Sequence, residues 1–551
     1  MLLGALMDGL AVRVQGGPAG TPFPAALAGL RICDINEDSR TVVPGSLFIA
    51  RSGTKSDGKQ FANDAVKAGA VAVLTDDDAL RLESPRTPVL VAQDVQLATA
   101  LLAERFYGNP SSLMHLVGVT GTNGKTTTTS LVWQLLNDAG TRCGLIGTVV
   151  VDDGTEVAPA SMTTPPAIEV SRSLARMQEA GCAAASLEVS SHALHQKRAD
   201  ALRFRVGVFT NLTGDHLDYH RTMDEYASAK ARLFEILPPD GLALVNAQDP
   251  AAPRMARDCR ARVLTCSVGD HGPAAACRAT VVDESIDGMS LTLQGPWGAI
   301  AARVPLIGRY NAMNILQAVA SAHELGLPKE RLEAGLQRLK APPGRLERVT
   351  APGDKLQVFV DYAHSDDSLH NVLTAVAQAL PGRAHQGGRV GSAAGAPRAA
   401  PAGGRLIAVF GCGGNRDTTK RPRMGRVAAE DADLVIVTSD NPRTERPSDI
   451  VDQVLAGVPA AHRHKVSVQV DRAKAIRAAI EAARPGDVVI IAGKGHETEQ
   501  IQPDGSGGTI RTHFDDREVA RTVLEDLFPR PAVQAPARPP EVVVRKRGTQ
   551  D

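Results

Sequence analysis

The stretch Gly118-Val-Thr-Gly-Thr-Asn-Gly-Lys-Thr-Thr-Thr-Thr129 constrains this chain most, because an apolar run enters it and an amphipathic run leaves it. Residues 113–119 read as a strand, and 130–139 as a helix closed by Gly140. A strand, a glycine-rich turn and a helix in that order make a phosphate cradle: turn N–H groups and the positive helix end converge on anionic oxygens. Lys125 adds a full charge, and the Thr126 hydroxyl can ligate a metal ion. Gly118, Gly121 and Gly124 are evenly spaced, with Val119 where the strict P-loop pattern has glycine. Gly121, Thr122, Asn123, Gly124, Lys125, Thr126 and Thr127 are therefore read as an ATP site, with an ordinary turn as the alternative.

At 551 residues the chain exceeds a single core, and three α/β domains are expected. Lysine plus arginine and aspartate plus glutamate number 61 each, so no global field draws nucleic acid or an anionic membrane. With 3% aromatic residues, stacking platforms for single-stranded nucleic acid are scarce. The 7 cysteines include no Cys-x-x-Cys pair, which argues against zinc or disulfide frameworks and for buried thiols. No secretory segment or apolar run of membrane length is seen, so a soluble cytoplasmic monomer acting on small molecules is expected.

Residues 1–112 read as a small α/β domain, with strands at 46–50 and 71–74 and a helix at 58–67. From 113 to 342 strand and helix alternate, and the compact apolar runs 183–189, 206–210 and 241–245 have the character of buried parallel strands. Residues 343–528 read as a Rossmann-like doubly wound domain, with strands at 356–360, 406–410, 433–437 and 487–491 and helices at 473–483 and 516–527. Residues 381–404 have the composition of a flexible insertion, and 529–551 that of a disordered tail.

Ligands of open α/β sheets bind beyond strand ends, which places Glu188, in Glu188-Val-Ser-Ser-His192, to ligate Mg²⁺. His216 follows the run 206–210 in the same way. Either histidine alone reads more readily as a structural or surface residue than as a ligand, but two such clusters after strands of one domain shift the reading towards a metal-nucleotide site, and Lys230 reads as a solvated lysine on a helix. Asn311 and Asn314 put two amides on one helical face, suited to a base or ribose or to plain helix surface. Further on, Asp361-Tyr-Ala-His364, 411–417, 439–444 and 493–497 follow four apolar strands and would line one rim. Arg416 and Arg443 there point to a carboxylate-bearing ligand.

Together, Gly121–Thr126, Glu188–His192, Asn311 with Asn314, Pro343-Gly-Arg345, Asp361–His364 and Asp440-Asn-Pro-Arg443 resemble the Mur ligase family, in its order and over nearly the whole chain. Within the family the pattern is nearest to the ligases that add meso-diaminopimelate to UDP-N-acetylmuramoyl-L-alanyl-D-glutamate. The resemblance implies ATP and Mg²⁺, with Thr126, Glu188, His216 and a carbamylated Lys230 as metal ligands, and Lys125, Glu188, His216 and Lys230 as catalytic groups. It adds Asn311, Asn314, Arg345 and Asp361 to the ATP site. It gives Ser39, Thr54, Lys55 and Ser56 to the UDP end of the precursor, and Thr163, Thr164, Ser190, Gln196 and Arg198 to its sugar-peptide part. Arg416, Asp440, Asn441, Pro442, Arg443, Gly493 and Glu497 match the positions for the incoming amino acid. The implied reaction passes through an acyl phosphate, with closure of the third domain bringing the amine into line. A buried Arg443 would be left unpaired by lysine, which favours diaminopimelate.

Two departures from the family pattern stand out: Ser365-Asp-Asp367 replaces the usual Thr-Pro-Asp, and the 381–404 insertion is extra. A lysine-adding ligase, a folylpolyglutamate synthetase-like ligase and a nucleotide-gated binding protein are the alternatives. ADP formation that requires both acceptor and a particular amino acid separates them.

Overall fold

The structure is a computed structural model that describes residues 1–18, 23–53, 57–269, 274–352, 354–380 and 404–529. Thr54, Lys55 and Ser56, the insertion apart from Gly404, and the tail beyond Pro529 lie outside the described residues. The chain forms two compact units: Met1–Glu347 with the stretch that begins at Asp361, and Arg348–Val360 with the stretch that begins at Gly404.

The first unit begins with a five-stranded sheet ordered Val12–Val14, Val89–Ala92, Ala72–Thr75, Ser46–Ala50, Asp34–Asn36. Only the Val12–Val14 edge is antiparallel. Helix Val95–Phe106, capped by Asp94 accepting from Leu97 N at 2.9 Å, packs Val95, Leu102 and Ala103 into a core with Leu47, Leu74 and Leu90. Near its end the buried Glu104 accepts from Ser111 N at 3.2 Å, Ser111 Oγ and, at 2.8 Å, Ser171 Oγ. This carboxylate ties the helix to the 3₁₀ turn Pro110–Ser112 and to helix Ala167–Glu179.

The second sheet of this unit has eleven strands. Ala184–Glu188, His115–Thr120, Phe204–Phe209 and Leu242–Asn246 lie side by side in parallel, with Val119 opposite Glu188 and Thr120 opposite Phe209. Parallel register sends the segments after Thr120, Glu188 and Phe209 out at one end, where a ligand can meet all three. Helices Lys125–Asp138 and Tyr310–Glu324 cover one face through Leu131, Leu135, Ile315 and Val319. Ala167–Glu179 and Met223–Glu235 cover the other through Leu174, Leu233 and Phe234.

The strand-then-helix reading of 113–342 misses both edges. Cys277–Ser285, Gly288–Gly295 and Gly298–Val304 extend the sheet by antiparallel hairpins, and Val150–Asp152 with Val157–Pro159 do so at the opposite edge. One face of Gly298–Val304 is solvated, so its residues alternate in burial and lack the continuous apolar run of a central strand.

The second unit has a six-stranded sheet ordered Glu347–Arg348, Gln357–Asp361, Val488–Ala492, Leu406–Phe410, Leu434–Val437, Val466–Val468. From Leu406–Phe410 the chain steps outward to Leu434–Val437 and Val466–Val468, then returns to Val488–Ala492 on the other side. That reversal makes a switch point between Phe410 and Ala492, and a crevice forms where the following loops diverge. Helices Arg472–Ala482 and Asp516–Leu527 pack Ile476, Ile480 and Val523 on one face. A hairpin, Glu499–Pro503 with Thr509–His513, is a further element absent from the sequence reading.

Candidate active site

In the first unit the turn between Thr120 and Lys125 opens helix Lys125–Asp138. Gly124 has φ 84°, and a Cβ there would lie 2.5 Å from Asn314 Oδ1, so both its backbone shape and its missing side chain are required. Asn314 Nδ2 donates to Asn311 Oδ1 at 2.9 Å, Asn314 Oδ1 accepts from Thr128 Oγ1 at 3.3 Å, and Asn311 Nδ2 donates to Ile307 O at 2.7 Å. The two amides are buried against the turn and bonded to each other, which differs from an open pair offered to a base. Asn123 N donates to Asn211 Oδ1 at 2.9 Å, and the Thr122 hydroxyl donates to Thr213 O at 3.1 Å, joining the turn to the segment after Phe209.

Glu188 is 1% exposed, and its carboxylate accepts from Thr126 Oγ1 at 3.0 Å, Thr148 N at 2.7 Å and Thr148 Oγ1 at 3.0 Å. Carboxylate and hydroxyl oxygens from the phosphate turn and two strand ends form a hard donor set, which suits Mg²⁺. Thr148 is a member that sequence reasoning missed. Among the described residues no three His, Cys, Asp or Glu side chains are grouped to hold a metal on their own.

Two lysines converge on the turn. Lys125 Nζ donates to Gly121 O at 2.9 Å and Thr122 O at 2.8 Å, and Lys230 Nζ donates to Gly121 O at 2.7 Å. Burial pushes the Lys125 amine down, opposed by Glu188 and Asp215. Lys230, 1% exposed and 4.4 Å from the Tyr226 ring centroid, is held well below the ordinary lysine range by burial and then by Lys125. The solvated lysine of the sequence reading is thus a buried amine. His216 is exposed, with φ 55°, Nε2 3.5 Å from Asp215 Oδ2 and its ring edge-on to His192 at 4.8 Å.

Arg345 lies over the Tyr362 ring at 4.7 Å, with Nη2 donating to Thr126 Oγ1 at 3.4 Å. Its Nε is buried without a hydrogen-bond partner among the described residues, a donor that a phosphate or ribose oxygen would satisfy. Asp361 is buried, accepts from Leu346 N at 2.6 Å and Ala363 N at 2.7 Å, and has its pKa raised by burial against the pull of Arg345.

The other side of Glu188 carries the residues expected to hold the sugar-peptide part. Thr164 Oγ1 donates to Glu188 O at 2.7 Å and accepts from Ser190 N at 3.0 Å, and the Thr163 and Thr148 hydroxyl oxygens lie 3.1 Å apart, with Thr163 the donor since the Thr148 proton goes to Glu188. Arg198 donates to Thr164 O and Gln196 Oε1, each at 2.7 Å, and Gln196 donates to the Tyr219 hydroxyl at 3.1 Å. Burial and then Arg51 lower the Arg198 pKa, so an anion would be favoured beside it. Ser39 is half-buried in the turn Ser39–Thr41, which is capped by Asp38.

In the second unit the loops around the switch point carry the amino-acid candidates. A Cβ on Gly493 would lie 2.6 Å from Asp440 Oδ2. Asn441 Nδ2 donates to Glu497 Oε2 at 2.7 Å, and Pro442 is buried. Arg443 is half-buried, not buried as expected, with φ 54° and Nη1 donating to Gly414 O at 2.7 Å. Arg416 is exposed.

Behind these loops stand three fully buried cations that the sequence analysis did not single out. Arg421 donates to both Glu445 oxygens, Gln453 Oε1 and Gly413 O at 2.8–3.0 Å. Arg472 makes a bidentate pair with Asp516 at 2.7 and 2.6 Å and also donates to Ser439 O and Ala492 O, at 3.2 and 3.0 Å, pinning the strand ends beside the crevice. Lys494 donates to Asn441, Glu497 and Glu499. Long cations ordinarily sit outside, and nothing in the local sequence distinguishes Arg421 or Arg472 from surface arginines.

Comparison with known proteins gives three family matches: the Mur ligase middle domain over 119–322, the Mur ligase glutamate ligase domain over 383–495, and the Mur ligase family catalytic domain over 32–107. A UDP-N-acetylmuramoyl-L-alanyl-D-glutamate–2,6-diaminopimelate ligase of Synechococcus elongatus is 44% identical over 92% of this chain and 96% of its own. One of the same name from Chlorobium phaeobacteroides is 40% identical over 96% and 97%. A solved structure of a ligase of that name superposes with a TM-score of 0.65 at 31% identity, covering 92% of this chain and 97% of the other.

Proposed function

The chain belongs to the Mur ligase family of ATP-dependent, amide-forming ligases, and from that premise we propose that it joins meso-diaminopimelate to the D-glutamyl residue of UDP-N-acetylmuramoyl-L-alanyl-D-glutamate, in peptidoglycan precursor synthesis. The observation that carries the chemistry is Glu188 bonded to Thr126 of a phosphate turn on which Lys125 and Lys230 both converge.

In this reading the turn N–H groups, the helix end, Lys125 and Arg345 hold the ATP phosphates, while Asn311, Asn314 and Asp361 support the nucleotide end. Thr163, Thr164, Ser190, Gln196 and Arg198 hold the sugar-peptide part, and Ser39 with Thr54, Lys55 and Ser56 holds the UDP end. A carboxylate has no leaving group for amide formation, so the γ-phosphoryl group passes to the D-glutamyl side-chain oxygen, giving an acyl phosphate and ADP. The free amine of diaminopimelate attacks that carbonyl, loses a proton and expels phosphate. Lys125 offsets charge on the migrating phosphoryl group. Thr126, Glu188, His216 and Lys230 as its carbamate would hold Mg²⁺, which when bound neutralises phosphate charge. Asp440, Asn441, Pro442, Arg443, Gly493, Glu497 and Arg416 receive the amino acid, with Arg443 on the carboxylate that lysine lacks.

The proposed division is 1–112 for the UDP precursor, 113–342 for ATP and 343–528 for the amino acid. The proposed setting is a cytoplasmic monomer. Among the described residues no helix is long and apolar enough to cross a membrane. Phosphate release measured with the UDP-linked dipeptide and a panel of amino acids tests the reading. Turnover is expected with meso-diaminopimelate and not with lysine; no nucleotide consumption with diaminopimelate, or equal use of lysine, would overturn it.

A further inference from the structure

Lys494 lies in the segment Gly493-Lys-Gly-His-Glu497, between two residues assigned above to the incoming amino acid, yet its side chain is 0% exposed and touches no solvent. Its ammonium uses all three donors: Asn441 Oδ1 at 3.2 Å, Glu497 Oε2 at 3.2 Å and Glu499 O at 2.6 Å. Glu497 Oε2 accepts a second bond from Asn441 Nδ2 at 2.7 Å, and Asn441 Oδ1 accepts a second from Ile501 N at 3.0 Å. Asn441 and Glu497 are therefore fixed to one another through one buried charge, with Glu497 Oε2 committed inward. The Glu497 side chain remains 34% exposed, which leaves Oε1 as the oxygen free to face a ligand.

We propose that Lys494 is a positioning residue that sets amino-acid affinity and choice by holding Asn441 and Glu497 in one arrangement from behind. This rests on the assignment of Asn441, Arg443 and Glu497 to the amino-acid site. A carboxylate one-third exposed, with no cation behind it, samples several rotamers, and a substrate ammonium would have to select one of them. Pinned by Lys494, the carboxylate is already oriented, and its ordering entropy is not charged to binding. Arg443 shares the scaffold, since its Nη1 lies 3.4 Å from Asn441 O. Loss of Lys494 therefore loosens both ends of the recognition set without touching the phosphate turn.

The test is steady-state kinetics on the full chain for Lys494→Met, which keeps length and apolar volume, Lys494→Gln, which keeps a donor without charge, Glu497→Gln, and the Lys494→Met/Glu497→Gln pair. Wild-type turnover of diaminopimelate together with a KM for it raised about tenfold or more in Glu497→Gln, at measurable turnover, upholds the underlying assignment; an unchanged KM in Glu497→Gln removes the assignment itself. Given that assignment, Lys494→Met and Lys494→Gln are expected to raise KM for diaminopimelate about ten- to a hundred-fold, the scale of a hydrogen bond to a charged group. KM for ATP and for the UDP-linked dipeptide should stay within about twofold, and the double variant should be little worse than Glu497→Gln alone. An unchanged KM for diaminopimelate, or multiplying effects in the double variant, would overturn the proposal. Should Lys494→Met fail to fold, Lys494→Gln decides by the same KM comparison.

Discussion

Lys125 and Lys230 donate to the same oxygen, the carbonyl of Gly121, at 2.9 and 2.7 Å. Lys125 is one of the causes that keep the Lys230 amine below its ordinary range, after burial itself. The neutral form of an amine is the one that attacks CO₂, and a lowered pKa favours that form; the nitrogen loses a proton and gains a carboxylate. The first prediction is that wild-type protein exposed to ¹³C-bicarbonate shows a carbamate resonance that Lys230→Met lacks. The variant should also lose amide-forming turnover by about a hundredfold or more. Full activity of the variant would remove Lys230 from the mechanism.

Glu188→Gln keeps the shape of a side chain that already satisfies Thr126 and Thr148, so folding should survive. Its lost charge should lower turnover about a hundredfold and raise the Mg²⁺ concentration needed for half-maximal ADP formation. A magnesium titration that coincides with wild type would exclude Glu188 as a ligand.

Arg443→Ala should raise KM for diaminopimelate about ten- to a hundred-fold and leave nucleotide binding unchanged. The half-burial of Arg443 makes this smaller than a fully buried charge would give. Calorimetric titration with ADP and kinetics with the two amino acids check both halves.

Arg472 and Asp516 form an ion pair with both side chains at 0% exposure. Removing one partner strands the other, so Asp516→Ala should destabilise the protein by about 3–5 kcal/mol, whereas Arg472→Met with Asp516→Leu should lose less. Denaturant unfolding of the three proteins measures the difference; equal losses would mean that the pair carries no mutual compensation.

Burial raises the Glu104 pKa against the hydrogen bonds from Ser111 and Ser171. The folded state then binds a proton more tightly than the unfolded chain, so stability from this group is full below the ordinary glutamate value. It falls as pH rises from there through the folded value. Glu104→Gln should flatten that part of a Tm-against-pH curve. An identical slope in both proteins would show that Glu104 does not titrate there.

The central strands were legible because burial on both faces demands unbroken apolar runs: 406–410 matches Leu406–Phe410, and 183–189 contains Ala184–Glu188. Strand ends in turn mark loops, which is why Glu188, Asp361 and Asp440 could be picked out. The hairpins beyond Cys277 were missed because solvated strands carry alternating residues. Asp287-Gly288, with Gly288 at φ 126°, was the available turn signal. Lys230 looked like surface because its burial is created only by the assembled sheet. Arg421 and Arg472 were invisible for the same reason: their partners Glu445 and Asp516 lie 24 and 44 residues away.

The return of the chain across the sheet at Val488–Ala492 leaves one gap flanked by Gly411 and Gly493, whose positions are inherited from strands clamped by Arg472. If the proposed roles of Arg443 and Glu497 hold, ligand preference should be open to rewriting at those two positions, as letters are changed in a fixed frame, while the framework that aims them keeps its dimensions.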